Sequence, residues 1–280
     1  WALIDRSGAN APKYGEYGMD LGIEGKVALV TAASQGLGFG CAAALASEGA
    51  RVAVCGRDTG RVDAAATTIS QQSGAKVVGF KADVTSRDDL EQLVRETEAA
   101  QGPIDILVCN TGNPPGGHAL DTGDEDWDTG LALVLRPAIT LMRLVVPGMQ
   151  ERGFGRVIFI SSAYGLEPNP ASAISSTLRA GLHALAKCAA RDVGGDGVCV
   201  NVVCPGYFNT PLLEQYARNA SSTGSATAAE VLEGWAQGAP AGRLGEPADL
   251  GSLVAFLASP RSGYIQGTVL AIDGGMLRAW

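Results

Sequence analysis

The sequence predicts an α/β fold: a doubly wound, seven-stranded parallel sheet with helices on both faces. Three observations carry this. Short apolar runs of strand length alternate with longer helical patterns along nearly the whole chain, as in successive βαβ units. The runs are continuously apolar rather than alternating, as strands covered on both faces require. A Gly-rich turn follows the first run and opens the first helix, where a sheet of this kind meets its ligand. The 280 residues are 46% hydrophobic and 18% charged, enough apolar material for one sizeable core and no basis for disorder.

Residues 1–25 read as an irregular arm. Strands are predicted at residues 27–31, 51–55, 76–80, 104–109, 156–160, 198–203 and 269–272. Between them lie helices at 38–47, stopped by Gly49, and at 58–73. A third, to about Ala100, has Ser86 as N-cap and Asp88 and Asp89 in its first turn. Longer helices span about 124–152 and 172–193, the latter with Ala180, Leu182, Leu185 and Ala189 at buried-face spacings. Residues 206–245 are rich in Gly, Ala and Ser, with two short helices and a loose tip at Ser221 to Ser225. A helix at 247–258 precedes the last strand. No composition shift divides the chain, so residues 26–280 form one domain with a lid at about 207–245.

Composition excludes several functions. A net charge of −8 without a basic stripe argues against nucleic acid and anionic membrane. No apolar run approaches the roughly 18 residues needed to span a bilayer. The first 25 residues lack the apolar stretch of a secretory signal. Six cysteines without a CxxC read as free thiols in a reducing cytosol, so the expected location is cytoplasmic. With two histidines and no Cys cluster, no metal site is expected.

The turn after the first strand comprises Thr31, Ala32, Ala33, Ser34, Gln35, Gly36, Leu37 and Gly38. It lies where free N–H groups and the positive end of a helix receive a pyrophosphate. Ala32 replaces the first glycine of the usual pattern, and its methyl can crowd an adenosine ribose. Arg57 ends the second strand where an acid would bind two ribose hydroxyls, which favours a 2′-phosphate and hence NADP over NAD. Asp83 and Val84 follow the third strand at the adenine side. Asn110, Thr111 and Gly112 follow the fourth, on the ribose side.

Together, Thr31 to Gly38, Asp83-Val84, Asn110-Thr111-Gly112, Ile160-Ser161-Ser162, Ala180-Gly181-Leu182, Asn201 to Gly206 and Asp273-Gly274-Gly275 resemble the short-chain dehydrogenase/reductase family. The likeness is to its β-ketoacyl-carrier-protein reductase-like members and runs from Gly25 to Met276. It implies a Rossmann-type sheet, NAD(P) at the C-terminal strand edge, a small-molecule substrate and a homodimer or homotetramer. It also implies cofactor contacts at Pro205, Gly206 and Thr210. In the family a Tyr moves the proton, a Lys lowers its pKa and holds the nicotinamide ribose, a Ser binds the reacting oxygen and an Asn supports a water relay. Ser162 matches the Ser. Thirteen residues on, the Tyr position holds Ser175, and four further the Lys position holds Arg179. Val134, seven residues past Trp127, stands at the Asn position.

A Ser hydroxyl is a far weaker acid than a phenol, whose pKa is about 10. Arg179 stays charged and can donate to a ribose, a phosphate or an oxyanion, but it cannot serve as Lys does. Three readings follow. In the first, an NADP-dependent carbonyl or alcohol oxidoreductase uses a displaced acid, with Tyr164 first, Tyr207 next and His118 third. In the second, Ser162 and Arg179 form an oxyanion site for dehydration, isomerisation, or carbon–carbon cleavage or closure, with or without bound nucleotide. In the third, the protein is a silent binding subunit. Each candidate acid also reads as a pocket wall or loop residue. His118, Tyr207, Leu212 and Trp235 are placed in the substrate pocket, where an apolar lid suits a hydrophobic substrate and equally suits packing on the sheet.

Overall fold

A computed structural model describes residues 20–224 and 226–278. Of the predicted arm, residues 1–19 lie outside the described part, as does Ser225 of the lid tip. Leu21 and Ile23, at the end of the arm, are buried against the domain.

Seven parallel strands form one sheet in the order β3-β2-β1-β4-β5-β6-β7. They are β1 (Val27–Val30), β2 (Arg51–Gly56), β3 (Val77–Lys81), β4 (Ile106–Cys109), β5 (Gly155–Ile160), β6 (Val198–Pro205) and β7 (Val269–Ile272). β1, β4, β5 and β6 are buried at every residue, which is why they read as unbroken apolar runs. The edge strands β3 and β7 are only partly covered.

On one face lie α1 (Gly36–Ser47), α2 (Thr59–Ser73) and α8 (Pro247–Ala258). Their core holds Leu45, Ile69, Leu250 and Val254 with the Val30 and Ile158 side of the sheet. The other face carries α3 (Arg87–Gln101), α4 (Asp124–Glu151) and α5 (Ala173–Val193), which bury Leu93, Leu141 and Leu182 with Leu29 and Phe159. The lid is α6 (Pro211–Thr223) and α7 (Ala228–Gln237). Asp58 accepts from the Arg61 N–H and caps α2, and Ser86 caps α3 as expected.

Connections leave β1 toward β2 on one side and β4 lies on the other, so the chain direction reverses between them. In sheets of this kind ligands bind at that switch point, outside the carboxyl ends of the strands, where the Ala32–Gly38 turn and the loops after β4, β5 and β6 lie.

One expectation needs correcting. α4 contains an 18-residue window of mean hydropathy 1.6, so by length and composition it is apolar enough to cross a bilayer. Its apolar residues instead pack beneath the sheet: Val134, Ala138, Leu141, Val145 and Met149 are core. The rest of the window, including Leu131 and Leu144, stays outside, and 39% is buried in all.

Candidate active site

The turn after β1 is held from below. Thr31 Oγ1 donates to the Asn110 carbonyl at 2.6 Å and accepts from the Asn110 N–H at 3.0 Å. The Asn110 side chain donates to the Ala32 carbonyl at 3.1 Å. The Ala33 N–H is spent on the Cys55 carbonyl, and its methyl is fully buried. Thr31, Ala33 and Asn110, expected as cofactor contacts, therefore build the cradle. Ser34, Gln35, Gly36 and Leu37 form its open lip. A Cβ at Gly38 would lie 2.5 Å from the Ala32 carbonyl, so only glycine lets the helix start this close to the strand. No side chain caps α1, and its first turn holds no acid. Its positive end is left for an anion, so the turn fits a dinucleotide pyrophosphate.

At the adenosine side, Asp58 is committed to capping α2 and to an ion pair with Arg61. Arg57 is exposed and makes no ion pair among the described residues. Asp83 accepts from the Thr85 N–H and hydroxyl through one oxygen, which leaves the other open, and Val84 is buried beside it.

At the other end, β5 delivers Ser162 and α5 delivers Ser175 and Arg179. Arg179 is 3% exposed although no carboxylate pairs with it among the described residues. Its Nη1 donates to the Ile160 carbonyl at 2.6 Å and its Nη2 to the Gly112 carbonyl at 3.2 Å. Its Nε has no partner. Burial lowers the guanidinium to about 10, still charged at neutral pH. This buried cation, held by carbonyls at the end of β5 and in the loop after β4, places positive charge at that end of the sheet. Ser175 is half-buried on the first turn of α5, one turn before Arg179. Val134 is buried at 1% exposure in the α4 core, so nothing polar replaces the expected Asn there.

Ser162 opens a 3-10 turn, Ala163–Gly165, and its hydroxyl oxygen accepts from the Tyr164 N–H at 3.2 Å. The Tyr164 hydroxyl lies 2.9 Å from that of Tyr207. Tyr207 stacks on Trp235 of α7, with ring centroids 5.2 Å apart. Burial, and then the hydrogen bond with Tyr164, raises the Tyr207 phenol above its ordinary value. The structure thus brings together Ser162, Tyr164, Tyr207 and Trp235. Thr210 caps α6 and sits against Gly36 of the phosphate turn. Pro205 and Gly206 close the end of β6 on β7, where the Gly206 N–H donates to the Ile272 carbonyl.

His118 is exposed and lines a cavity of about 650 Å³ with Leu120, Pro168, Ser176 and Thr177, next to the first turn of α5. Gly117, beside it, pairs with Ser172 in an isolated bridge. Leu212 is 38% exposed; its neighbours Leu213 and Ala217 provide the buried face of α6.

Two contacts escaped the sequence reading. Asn113 Nδ2 donates to the Tyr216 hydroxyl at 2.9 Å, tying the lid to the loop after β4. His183, four residues past Arg179 on the same helical face, meets Ser161 and Cys204 behind Ser162. The spacing of four was a usable signal for His183. No local signal marks a pair 103 residues apart.

A family model described as enoyl-(acyl carrier protein) reductase matches residues 31–277. The 3-oxoacyl-(acyl-carrier-protein) reductase FabG of Haemophilus influenzae is 34% identical over 91% of this chain and 99% of its own. The D-beta-hydroxybutyrate dehydrogenase of Cupriavidus necator is 32% identical over 90% and 98%. Among solved structures, the L-sorbose reductase of Gluconobacter frateurii, with NADPH and L-sorbose, superposes with a TM-score of 0.89 at 31% identity, covering 94% of this chain and 100% of that one. An actinorhodin polyketide ketoreductase with NADPH gives 0.86 at 30% identity, covering 91% and 98%.

Proposed function

This chain belongs to the short-chain dehydrogenase/reductase family of NAD(P)-dependent oxidoreductases acting on C=O and CH–OH groups, and we propose that it uses NADP(H) on a hydrophobic small molecule with a proton donor displaced from α5. The observation that carries the proposal is the pairing of the dinucleotide cradle with a buried, charged Arg179 held by the Ile160 and Gly112 carbonyls. The preference for NADP(H) rests on Arg57, exposed just past β2 and without an ion pair among the described residues, and two structural neighbours are NADPH complexes.

When bound, the nicotinamide supplies or accepts the hydride. The chain's own residues do the rest. Ser162 accepts a hydrogen bond at its oxygen and keeps its proton to donate to the reacting oxygen. Arg179 holds the ribose or lends charge to the oxygen as negative charge develops. Tyr164 is the proton donor: it leaves the same strand edge as Ser162, and its phenol is 2.9 Å from a second phenol. Tyr207, pushed up by burial, keeps its own proton and donates to Tyr164 as that group becomes phenolate. Trp235 and Tyr207 form an aromatic wall suited to an apolar substrate.

A non-redox reading uses the same Ser162 and Arg179 as an oxyanion site and needs no hydride. The two separate by NADPH fluorescence titration followed by turnover on a carbonyl panel. Tight NADPH binding with loss of NADPH absorbance is the expected result, and absence of binding overturns the oxidoreductase reading. Arg57→Ala is expected to weaken NADPH about tenfold and leave NADH unchanged. Equal loss for both coenzymes would remove Arg57 from the 2′-phosphate site. The same reading makes the protein a homodimer or homotetramer through the outer faces of α4 and α5, and six free thiols, five of them buried, fit a reducing cytoplasm.

A further inference from the structure

The ends of β5 and β6 are neighbours: Ile160 pairs with Val203, so Ser161 and Cys204 come side by side. His183 of α5 covers both. Its Nε2 is 2.9 Å from Ser161 Oγ and 3.3 Å from Cys204 Sγ. Ser161 Oγ in turn donates to the Arg179 carbonyl at 3.3 Å. An arrangement with Nε2 protonated satisfies these groups. Nε2–H donates toward Ser161 Oγ and Cys204 Sγ, and the Ser161 hydroxyl donates a hydrogen bond to the Arg179 carbonyl. The imidazole is also pressed against the turn that carries Tyr164. A Cβ at Gly165 would lie 2.8 Å from His183 Cε1 and 3.1 Å from the Arg179 carbonyl carbon, so glycine is required there for the ring to fit.

We propose that His183 is a positioning residue that fixes the spacing of Ser162 and Arg179, acting from the neutral Nε2–H form through Ser161 and the Arg179 carbonyl. One group joins side chains from three elements: the end of β5, the end of β6 and the middle of α5. Without it, the end of β5 and α5 remain joined by the guanidinium's hydrogen bond to the Ile160 carbonyl and by the Ser161 hydroxyl's 3.3 Å hydrogen bond to the Arg179 carbonyl. The inference rests on Ser162 and Arg179 being the anion-binding pair of the proposed site and holds whether the chemistry there is redox or not. Burial of the ring favours the neutral form, in keeping with the donor role.

The test compares His183→Leu, which removes the donor at similar volume, with His183→Gln, whose amide can donate from nearly the same place. In the protein without cofactor, nitrogen NMR reads the imidazole tautomer of the wild type and the Arg179 Nε–H resonance in all three proteins. The proposal expects protonated Nε2, and an Arg179 signal that moves or exchanges faster in His183→Leu and returns in His183→Gln. With NADPH and a turned-over carbonyl, it expects kcat at least about tenfold lower in His183→Leu and within about threefold of wild type in His183→Gln, with the substrate KM little changed. Protonation on Nδ1 in the wild type overturns the proposal, as does an unshifted Arg179 signal in a folded His183→Leu protein. Should His183→Leu not fold, the wild-type tautomer and the Gln variant decide. Because the NMR arm needs no turnover, it fails separately from the oxidoreductase reading, which fails on NADPH titration of the wild type.

Discussion

Ala32 adopts φ 47°, the only non-glycine residue at positive φ among those described. A left-handed conformation costs an L-residue roughly 1–2 kcal/mol. The Asn110 side chain holds the Ala32 carbonyl in place, so the turn keeps the shape a glycine would give it. Returning a glycine relieves the backbone but adds about 0.4–1 kcal/mol of unfolded-state entropy. Ala32→Gly is therefore expected to raise stability by about 0.5 kcal/mol and to bind NADPH at least as tightly, measured by thermal melting and fluorescence titration. A marked loss of affinity would mean the methyl is part of the binding surface. At this scale the sequence was informative where register does the work. Ser162 lies at the end of β5, and Ser175 and Arg179 lie one turn apart on α5. It was silent on which polar groups face inward. Thr31 and Asn110 looked like ligand contacts and are spent on each other.

At the scale of elements, the lid is held at two points. Thr210 sits on the phosphate turn, and Tyr216 is tied by Asn113 to the loop after β4. Gly112, beside Asn113, receives the Arg179 hydrogen bond, so the lid latch and the buried cation share one loop. Asn113→Ala is expected to leave the fold intact and speed NADPH release several-fold in stopped-flow displacement, the loss of one exposed hydrogen bond being worth about 1 kcal/mol. An unchanged release rate would show that α6 does not gate the site. The helices and strands themselves were legible to within two or three residues, since burial on both faces leaves an unmistakable apolar run. The path of the loop after β4 was not. It includes the pairing of Gly117 with Ser172, a contact that neither segment announces.

For the whole molecule, α4 is the element with more apolar surface than the domain buries. Leu131 and Leu144 are each 37% exposed on a helix whose opposite face is core. Covering them with a second copy explains the composition without a membrane. Leu131→Arg with Leu144→Arg is expected to lower the assembly state in light scattering while leaving far-UV circular dichroism unchanged. An unaltered mass would place the interface elsewhere. The order of the sheet puts Ser162, Tyr164, Tyr207 and Arg179 at one edge although they come from separate elements, and this convergence gives the proposed reaction its groups.

The proposed function turns on where the proton comes from. With NADPH and the best carbonyl of a panel, Tyr164→Phe is expected to lower kcat about 100-fold or more, while Ser175→Ala stays within about threefold of wild type. Turnover that collapses in Ser175→Ala and survives in Tyr164→Phe would contradict it.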